Sequence, residues 1–519
     1  MAEKALPIGV QDFSKLIEDG YLYVDKTEFY HRLINNGTYY FLSRPRRFGK
    51  SLLLSALGEI LSGNRAPFAG LWIEDKIDWQ PGPVIHLDFS KIVKLSENLE
   101  TAIGIELDAI AASYSILLGS GTNALKFRTL IEQLGAGTRV SVLIDEYDKP
   151  IIDHIDDLPR AEANRQVIRD LYSVVKGSDG FIRFFFVTGV SKFTQVSIFS
   201  DLNNLNDITL DPAYSQMLGY TEEELKTYFA AYIEPIEKRY EGIYPDIYQA
   251  IKEWYNGYSW DGEHFVYNPF SILKFLSQRR FADFWFSTGT PSFLMKLLKA
   301  REYPIHDLSS RKLDINLFDK FDIQNIEVNS LLFQSGYLTM KELDLATNVV
   351  TLDFPNREVE NSFNVHLLSE FGEVPKETAN SLLNQMTERL LDGDIDGTME
   401  LMGILFANVV APLHPRGSKI ERQENYYHSI FYMCLKLLGF HIQSEIWTNR
   451  GRIDAVLTTE KFIYVIEFKL GSAEEAIAQI KKMGYAQRYK AEGKTMILLG
   501  IGFDAEARNI GGYLAERLN

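Results

Sequence analysis

The sequence predicts an α/β protein of at least two domains, and three observations carry that expectation. Apolar runs at Tyr39–Leu42, Gly82–Ser90, Val140–Ile144 and from Phe181 onward alternate with stretches of helical periodicity, the pattern of a parallel sheet covered by helices. A glycine-lysine-serine, Gly49 to Ser51, stands where the first run gives way to a helix. After the boundary His414 to Gly417 a compact block of short strands begins, and 519 residues exceed what one hydrophobic core usually organises.

The stretch SRPRRFGKSLLLSALGEIL, Ser43 to Leu61, organises the first block. In a loop between strand and helix, backbone N–H groups point at phosphate oxygens, a lysine reaches the outer phosphates and a hydroxyl binds magnesium. Lys50 and Ser51 take those two roles. The usual pattern has a second glycine five residues before Gly49, where this chain has Arg44, so a basic turn capping a helix is the competing reading. RVSVLIDEYDKP, Arg139 to Pro150, weighs against it. Its apolar strand delivers Asp145 and Glu146 to the strand's end, where an aspartate can hold magnesium through water and a glutamate can polarise the attacking water. Paired acids alone can be a turn; the two motifs in this order make a nucleotide site.

SRPRRFGKSLLL and VLIDEYDKP, with the opening LPIGVQDFSKLIEDGYLYVDKTEF, resemble the AAA-ATPase-like family of bacterial proteins, including the arginine in place of the first glycine. The resemblance covers most of the chain. It implies ATP and Mg2+ as cofactors, a binding loop of Arg46, Arg47, Phe48, Gly49, Lys50, Ser51 and Leu52, and metal support from Ser51 and Asp145. Glu146 is then the catalytic carboxylate. Thr188 or Ser191, after the fourth apolar run, becomes a sensor of the outer phosphate, with a polar turn as the plain alternative. Family members typically carry a nuclease-like domain of the PD-(D/E)XK superfamily at the C-terminus.

Composition narrows the classes. No apolar run is long enough to span a bilayer and the N-terminus lacks a signal-peptide layout, so a soluble, cytoplasmic protein is expected, with no membrane partner. The single cysteine, Cys434, excludes an intramolecular disulfide and a cysteine-based metal cage. A net charge of -16 argues against a surface that binds nucleic acid everywhere, and leaves room for a local basic groove.

By pattern the chain divides into an AAA-type P-loop ATPase core (1–215), a helical lid (216–305), a winged-helix-like segment (306–375), a helical connection (376–415) and a restriction-endonuclease-like α/β domain (416–519). VDKT, Val24 to Thr27, caps a helix that stops at Gly37, and this opening segment is expected over the nucleotide base. Thr221 and Glu224 have capping-box spacing at the start of the lid. The aromatic turns Trp254–Trp260 and Val266–Ile272 read as core rather than binding platform. Arg279 and Arg280 are candidates for an arginine finger offered to a neighbouring subunit of a homo-oligomer, or simply a solvated pair. A winged helix can enter DNA's major groove, but this one has few lysines or arginines, so packing against the ATPase is an equal reading.

The last block reads as helix Glu421–Leu438, strands Phe440–Trp447, Arg452–Thr458 and Phe462–Leu470, helix Ala473–Ala491 and strand Thr495–Ile501. Alternation puts Glu467 and Lys469 on one face of the third strand, and a hairpin would bring Asp454 to Glu467. Two carboxylates can hold a divalent metal that lowers the pKa of water, while a lysine steadies charge on the attacked phosphate. An exposed glutamate-lysine pair is the plain alternative. Asp454 and Glu467-x-Lys469 resemble the PD-(D/E)XK signature, Glu424 matches its first acidic position, and Gln479 and Tyr485 its following helix. The expected metal ligands are Glu424, Asp454 and Glu467, with Mg2+ or Mn2+, and the substrate is nucleic acid, DNA before RNA. The competing reading is a nucleotide-dependent scaffold or DNA-binding regulator whose nuclease-like domain does not cleave.

Overall fold

The computed structural model describes residues 4–192, 204–285, 294, 297–298, 311–319, 327–372, 376–408, 431, 434–435, 441–448, 451–484, 489, 493–504, 507 and 509–518. The chain forms two compact units, residues 1–288 with 311–358, and residues 289–310 with 359–519.

In the first unit the apolar runs become β1 (Tyr39–Ser43), β2 (Val84–Asp88), β3 (Val140–Asp145) and β4 (Ile182–Gly189), joined by the short β5 (Asn206–Asp207). They form one parallel sheet in the order β2-β3-β4-β1-β5. β1 and β3 are buried along their whole length, which is why they read as unbroken apolar runs rather than alternating ones. β4 lies between β1 and β3, in register Leu42 with Thr188 and Ile144 with Val187. The chain therefore leaves β1, β4 and β3 at one edge of the sheet, the edge where ligands of parallel sheets bind.

Helix Lys50–Leu61 follows β1 and buries Leu53, Leu54, Leu57, Ile60 and Leu61 at helical spacing. Gly49, which precedes it, has φ 92°, a left-handed conformation that favours glycine. Asp25 accepts the Thr27 N–H and hydroxyl and so secures the start of helix Thr27–Asn36. The lid helices Glu222–Tyr228, Ala230–Arg239, Ile247–Tyr255 and Pro269–Gln278 pack around Leu225, Phe229, Ile233, Tyr255 and Phe275. Both bonds of the Thr221/Glu224 capping box form.

Residues 311–358 pack with this unit as β6 (Arg311–Asp314), helix Val328–Ser335, β7 (Thr339–Asp344) and β8 (Val349–Asp353), an antiparallel sheet in the order β6-β8-β7. A winged-helix unit is not shown, since between β6 and β7 the described residues hold one α-helix and a 3-10 turn. The sheet instead seats the aromatic turn. Ser259 N–H donates to Thr339 Oγ1 at 2.7 Å. Gly257, at φ 108°, lies so near Pro355 that a Cβ would come within 2.0 Å of its carbonyl oxygen.

The second unit carries β9 (His441–Thr448), β10 (Gly451–Thr458), β11 (Phe462–Leu470), β12 (Thr495–Asp504) and β13 (Asn509–Leu518) in the order β13-β12-β11-β10-β9. β11 and β12 are parallel, and helix Ala473–Met483 connects them. That helix stops earlier than its sequence pattern suggests, at Gly484 with φ 62°, and β13 was not anticipated. The expected helix Glu421–Leu438, with Glu424, lies outside the described residues except for Phe431, Cys434 and Leu435. Among the described residues no helix is long and apolar enough to cross a membrane.

Glu358 is fully buried and accepts the N–H groups of Phe284 at 2.5 Å and Trp285 at 2.7 Å. Burial pushes its carboxyl from an ordinary 4.5 up to about 7. The folded chain thus keeps a proton that the unfolded chain has released. The associated stability is complete below the unfolded value and is lost as pH rises through the folded one. Thermal unfolding of wild type against Glu358→Gln should show wild type losing ground to the variant between pH 5 and pH 8, and a constant gap between the two would contradict this.

Candidate nucleotide and metal sites

The first site is built where β1 ends. Ser43 Oγ donates to Val190 O at 2.6 Å and Arg44 N–H donates to Gly189 O at 3.2 Å, so the loop's start is fixed on the end of β4. Lys50 Nζ crosses the loop and donates to the carbonyls of Arg44 at 2.8 Å and Pro45 at 3.0 Å. Its burial lowers its pKa, opposed by Asp145 and Glu146. A cavity of about 440 Å3 opens in front. Arg46, Arg47, Gly49, Lys50, Ser51, Leu52 and Glu146 line it, as do Val10 and Gln11 of the opening segment and Phe270 of the lid. Its volume suits a small-molecule ligand.

Behind the cavity the acids are held by hydroxyls. Thr188 Oγ1 donates to Asp145 Oδ1 at 2.6 Å. Asp148 Oδ2 accepts Val190 N–H, Ser191 N–H and the Ser191 hydroxyl, at 3.0, 2.7 and 2.9 Å. The two residues expected as phosphate sensors thus donate their hydroxyls to carboxylates, Thr188 to Asp145 and Ser191 to Asp148. Glu146, with φ 49°, reaches the cavity, and burial raises its pKa. Ser51, on the first helical turn, and buried Asp145 are a donor set that suits Mg2+, a hard cation that takes oxygen ligands and water. Sequence reasoning passed over Asp148, although it is the third acid of the same DEYD motif, and also Ser90, Lys94 and Lys149 on the cavity wall.

Phe48 does not line the cavity. Its ring is buried edge-on against Tyr258 at 4.8 Å and Trp260 at 5.3 Å, which ties the aromatic turn to the underside of the loop. Arg44 is buried there too, its guanidinium 3.9 Å from the Trp260 ring. It donates to the carbonyls of Ser43 at 2.9 Å and Thr209 at 2.7 Å, and burial holds its pKa down to about 9. Arg279 ends helix Pro269–Gln278 in a left-handed conformation and Arg280 Nε donates to Gln278, and neither lines the cavity.

The second site forms on β10 and β11. Their antiparallel register pairs Ala455 with Ile466, which sets Asp454 opposite Glu467 one step further along. Asp454 Oδ2 accepts Phe468 N–H at 2.9 Å. Glu467 is 1% exposed, Lys469 Nζ lies 3.8 Å from its Oε1, and the same oxygen accepts Gln479 Nε2 from the following helix. Its other oxygen, Oε2, is buried with no hydrogen-bond partner among the described residues. Burial, then the nearby Asp454 charge, raises the Glu467 pKa. An orphaned, buried carboxylate oxygen beside a second carboxylate suits a divalent cation, which would satisfy both. Among the described residues no group of three or more metal-ligating side chains occurs, and Glu424, the third candidate, lies outside them.

Residues 7–199 match the family described as predicted AAA-ATPase, and residues 422–512 match the PD-(D/E)XK nuclease superfamily. A protein of Azotobacter chroococcum mcd 1, named only as an uncharacterized protein in the vnfD 5' region, is 39% identical over 528 residues that cover 100% of both chains. No solved structure matches.

If the Phe48 ring packs beneath the loop and not against a ligand, Phe48→Ala should lower unfolding stability by about 3 kcal/mol or more. Chemical denaturation measures it, and a loss below about 1 kcal/mol would place the ring elsewhere.

Proposed function

The chain belongs to the AAA-ATPase-like family with a C-terminal PD-(D/E)XK nuclease superfamily domain, and on that premise we propose an ATP-hydrolysing module joined to a metal-dependent nuclease. The observation that supports the first half is the convergence of Lys50, Ser51 and Glu146 on one cavity, with Asp145 at the end of the neighbouring strand. Gly49 and the first helical N–H groups would cradle the phosphates, Lys50 would exchange loop carbonyls for phosphate oxygens, and Ser51 and Asp145 would hold Mg2+. Glu146 orients the attacking water and accepts its proton, a task that its raised pKa favours.

The nuclease half rests on the orphaned Glu467 oxygen beside Asp454. Asp454 and Glu467, with Glu424, would hold Mg2+ or Mn2+. The metal supplies a bound water of lowered pKa. Lys469 steadies charge on the scissile phosphate and Gln479 fixes the Glu467 carboxylate in its rotamer. The substrate is a nucleic acid, DNA before RNA, and nucleotide state gates its cleavage.

One observation favours a second reading, a nucleotide-dependent scaffold that does not cleave: Glu467 and Lys469 lie within ion-pair distance of each other. Incubating the protein with plasmid, linear duplex, single-stranded DNA and RNA, with Mg2+ or Mn2+ and with or without ATP, separates the two. The nuclease reading expects metal-dependent cleavage that Asp454→Ala abolishes, at least 100-fold, with unchanged folding. Lys50→Ala should abolish ATP binding and remove any ATP effect on cleavage. Absence of cleavage from protein that binds ATP selects the scaffold, and cleavage indifferent to ATP, ADP and Lys50→Ala ends the gating idea.

A further inference from the structure

The loop carries three arginines where phosphate-binding loops usually carry small residues, and each is used differently. Arg44 lies buried beneath the loop on Trp260. Arg47, at φ 70°, sends its guanidinium to the lid, 4.5 Å from the Phe270 ring. Arg46 alone has its backbone clamped from behind while its side chain stays exposed in the cavity. Its carbonyl accepts the Trp285 indole N–H at 3.2 Å. Its neighbour Pro45 sits on Gly336, so tightly that a Cβ there would come within 2.7 Å of the proline ring.

The Arg46 side chain lines the cavity with Lys50, Ser51 and Glu146, and its charge bears directly on the Lys50 ammonium. Among the described residues it has no carboxylate partner. The stronger charges on the Lys50 ammonium are those of Asp145, Glu146 and Asp148, so the exposed Arg46 guanidinium, with no carboxylate of its own, is the cation left for an incoming anion. A polyphosphate is that anion.

We propose that Arg46 supplies, from within the same chain, the cation that meets charge developing on the terminal phosphate of ATP, so that hydrolysis needs no arginine from a second subunit. The proposal rests on reading the first unit as an ATPase. In the step, a water oxygen bonds to the terminal phosphorus and the bond to the bridging oxygen breaks, leaving its electron pair on ADP. The water's proton passes to Glu146 and then to the released phosphate. Charge on the bridging and terminal oxygens grows in the transition state, and a preorganised guanidinium stabilises that state more than bound ATP. The rear clamp supplies the preorganisation: with the carbonyl of Arg46 held by Trp285 and Pro45 held by Gly336, the side chain leaves a fixed backbone. Arg47 is already engaged with the lid, and Arg279 and Arg280 do not reach the cavity wall.

The test compares full-length wild type, Arg46→Ala, Arg46→Lys and Lys50→Ala, with matched thermal unfolding as the folding control. ATP and ADP binding are measured by calorimetry, and turnover is measured across a range of protein concentrations and in mixtures. Arg46→Ala should bind ATP within about threefold of wild type and turn it over roughly 100- to 1,000-fold more slowly, with Arg46→Lys between the two. Turnover per chain should not change on dilution. Mixing Arg46→Ala, which keeps its nucleotide site, with Lys50→Ala, which keeps Arg46, should restore nothing. Restored turnover in that mixture would show the arginine acting across subunits and overturn the proposal. Wild-type turnover by Arg46→Ala, or a loss confined to ATP affinity, would overturn it too. Wild type that binds ATP without hydrolysing it sinks the ATPase reading, and the proposal falls with it; this shows before any variant is examined.

Discussion

A guanidinium buried directly beneath the loop between β1 and the helix Lys50–Leu61 is the constraint on which the first unit depends. Taking a charge out of water costs several kcal/mol even after relaxation, and Arg44 is 1% exposed. The surroundings supply part of what the water would have supplied: two backbone carbonyls that accept from Nη1, the face of Trp260, and the charges of Asp207 and Asp261, which oppose the fall in its pKa, while Nε and Nη2 have no hydrogen-bond partner among the described residues. Apart from the Ser43 carbonyl, these groups come from two distant parts of the chain. Asp207 follows β4, Thr209 lies just beyond, and Trp260 and Asp261 belong to the aromatic turn after the lid's third helix. Keeping Arg44 buried therefore fixes that turn against the loop, and the turn, through Ser259 and Gly257, fixes the β6-β8-β7 sheet.

This chain of dependence explains why the middle of the protein was hard to read. The parallel sheet was legible because strands buried on both faces are written as unbroken apolar runs, and the glycine-lysine-serine and the Asp145/Glu146 pair lie at fixed offsets from those runs. The substitution of Arg44 for glycine was visible as a departure from pattern, yet its purpose is carried largely by partners distant in sequence, such as the Thr209 carbonyl, 165 residues away. The aromatic turns were legible as core, but not as the floor of the loop. The winged-helix expectation arose because a helix followed by a hairpin has that local pattern, whereas what the segment packs against is a tertiary property that periodicity does not encode.

The second unit shows the same division. Alternation along β11 put Glu467 and Lys469 on one face, and the hairpin brought Asp454 opposite. Local pattern did not reveal that Asp454 would accept the Phe468 N–H, which orients its carboxylate from the neighbouring strand. Nor could it show the distribution of partners around Glu467, one oxygen held by Gln479 and the other bare. β13 was missed because Gly511 and Gly512 interrupt its run of strand-forming residues, and glycine weakens a strand signal.

The hydrogen bonds of Lys50 bear on how nucleotide would be admitted. Lys50 is already satisfied by the carbonyls of Arg44 and Pro45, so binding a phosphate exchanges hydrogen bonds rather than adding them, and the net gain per bond is modest. Most of the binding energy would then come from the loop and helix N–H groups. A loop clamped on its far side by Trp285, Gly336 and Trp260 has little freedom to lose when the phosphates arrive, and the entropy cost of ordering it has been met during folding. The aromatic and glycine contacts behind the loop would thus contribute to nucleotide binding without touching the nucleotide. The helix Val328–Ser335 module is held to the loop through Gly336, and to the segment after β4 through the Gln334 side chain, which accepts the Lys192 N–H. A shift of the loop by a few tenths of an ångström on binding cannot be absorbed locally, because packed interiors transmit strain instead of yielding.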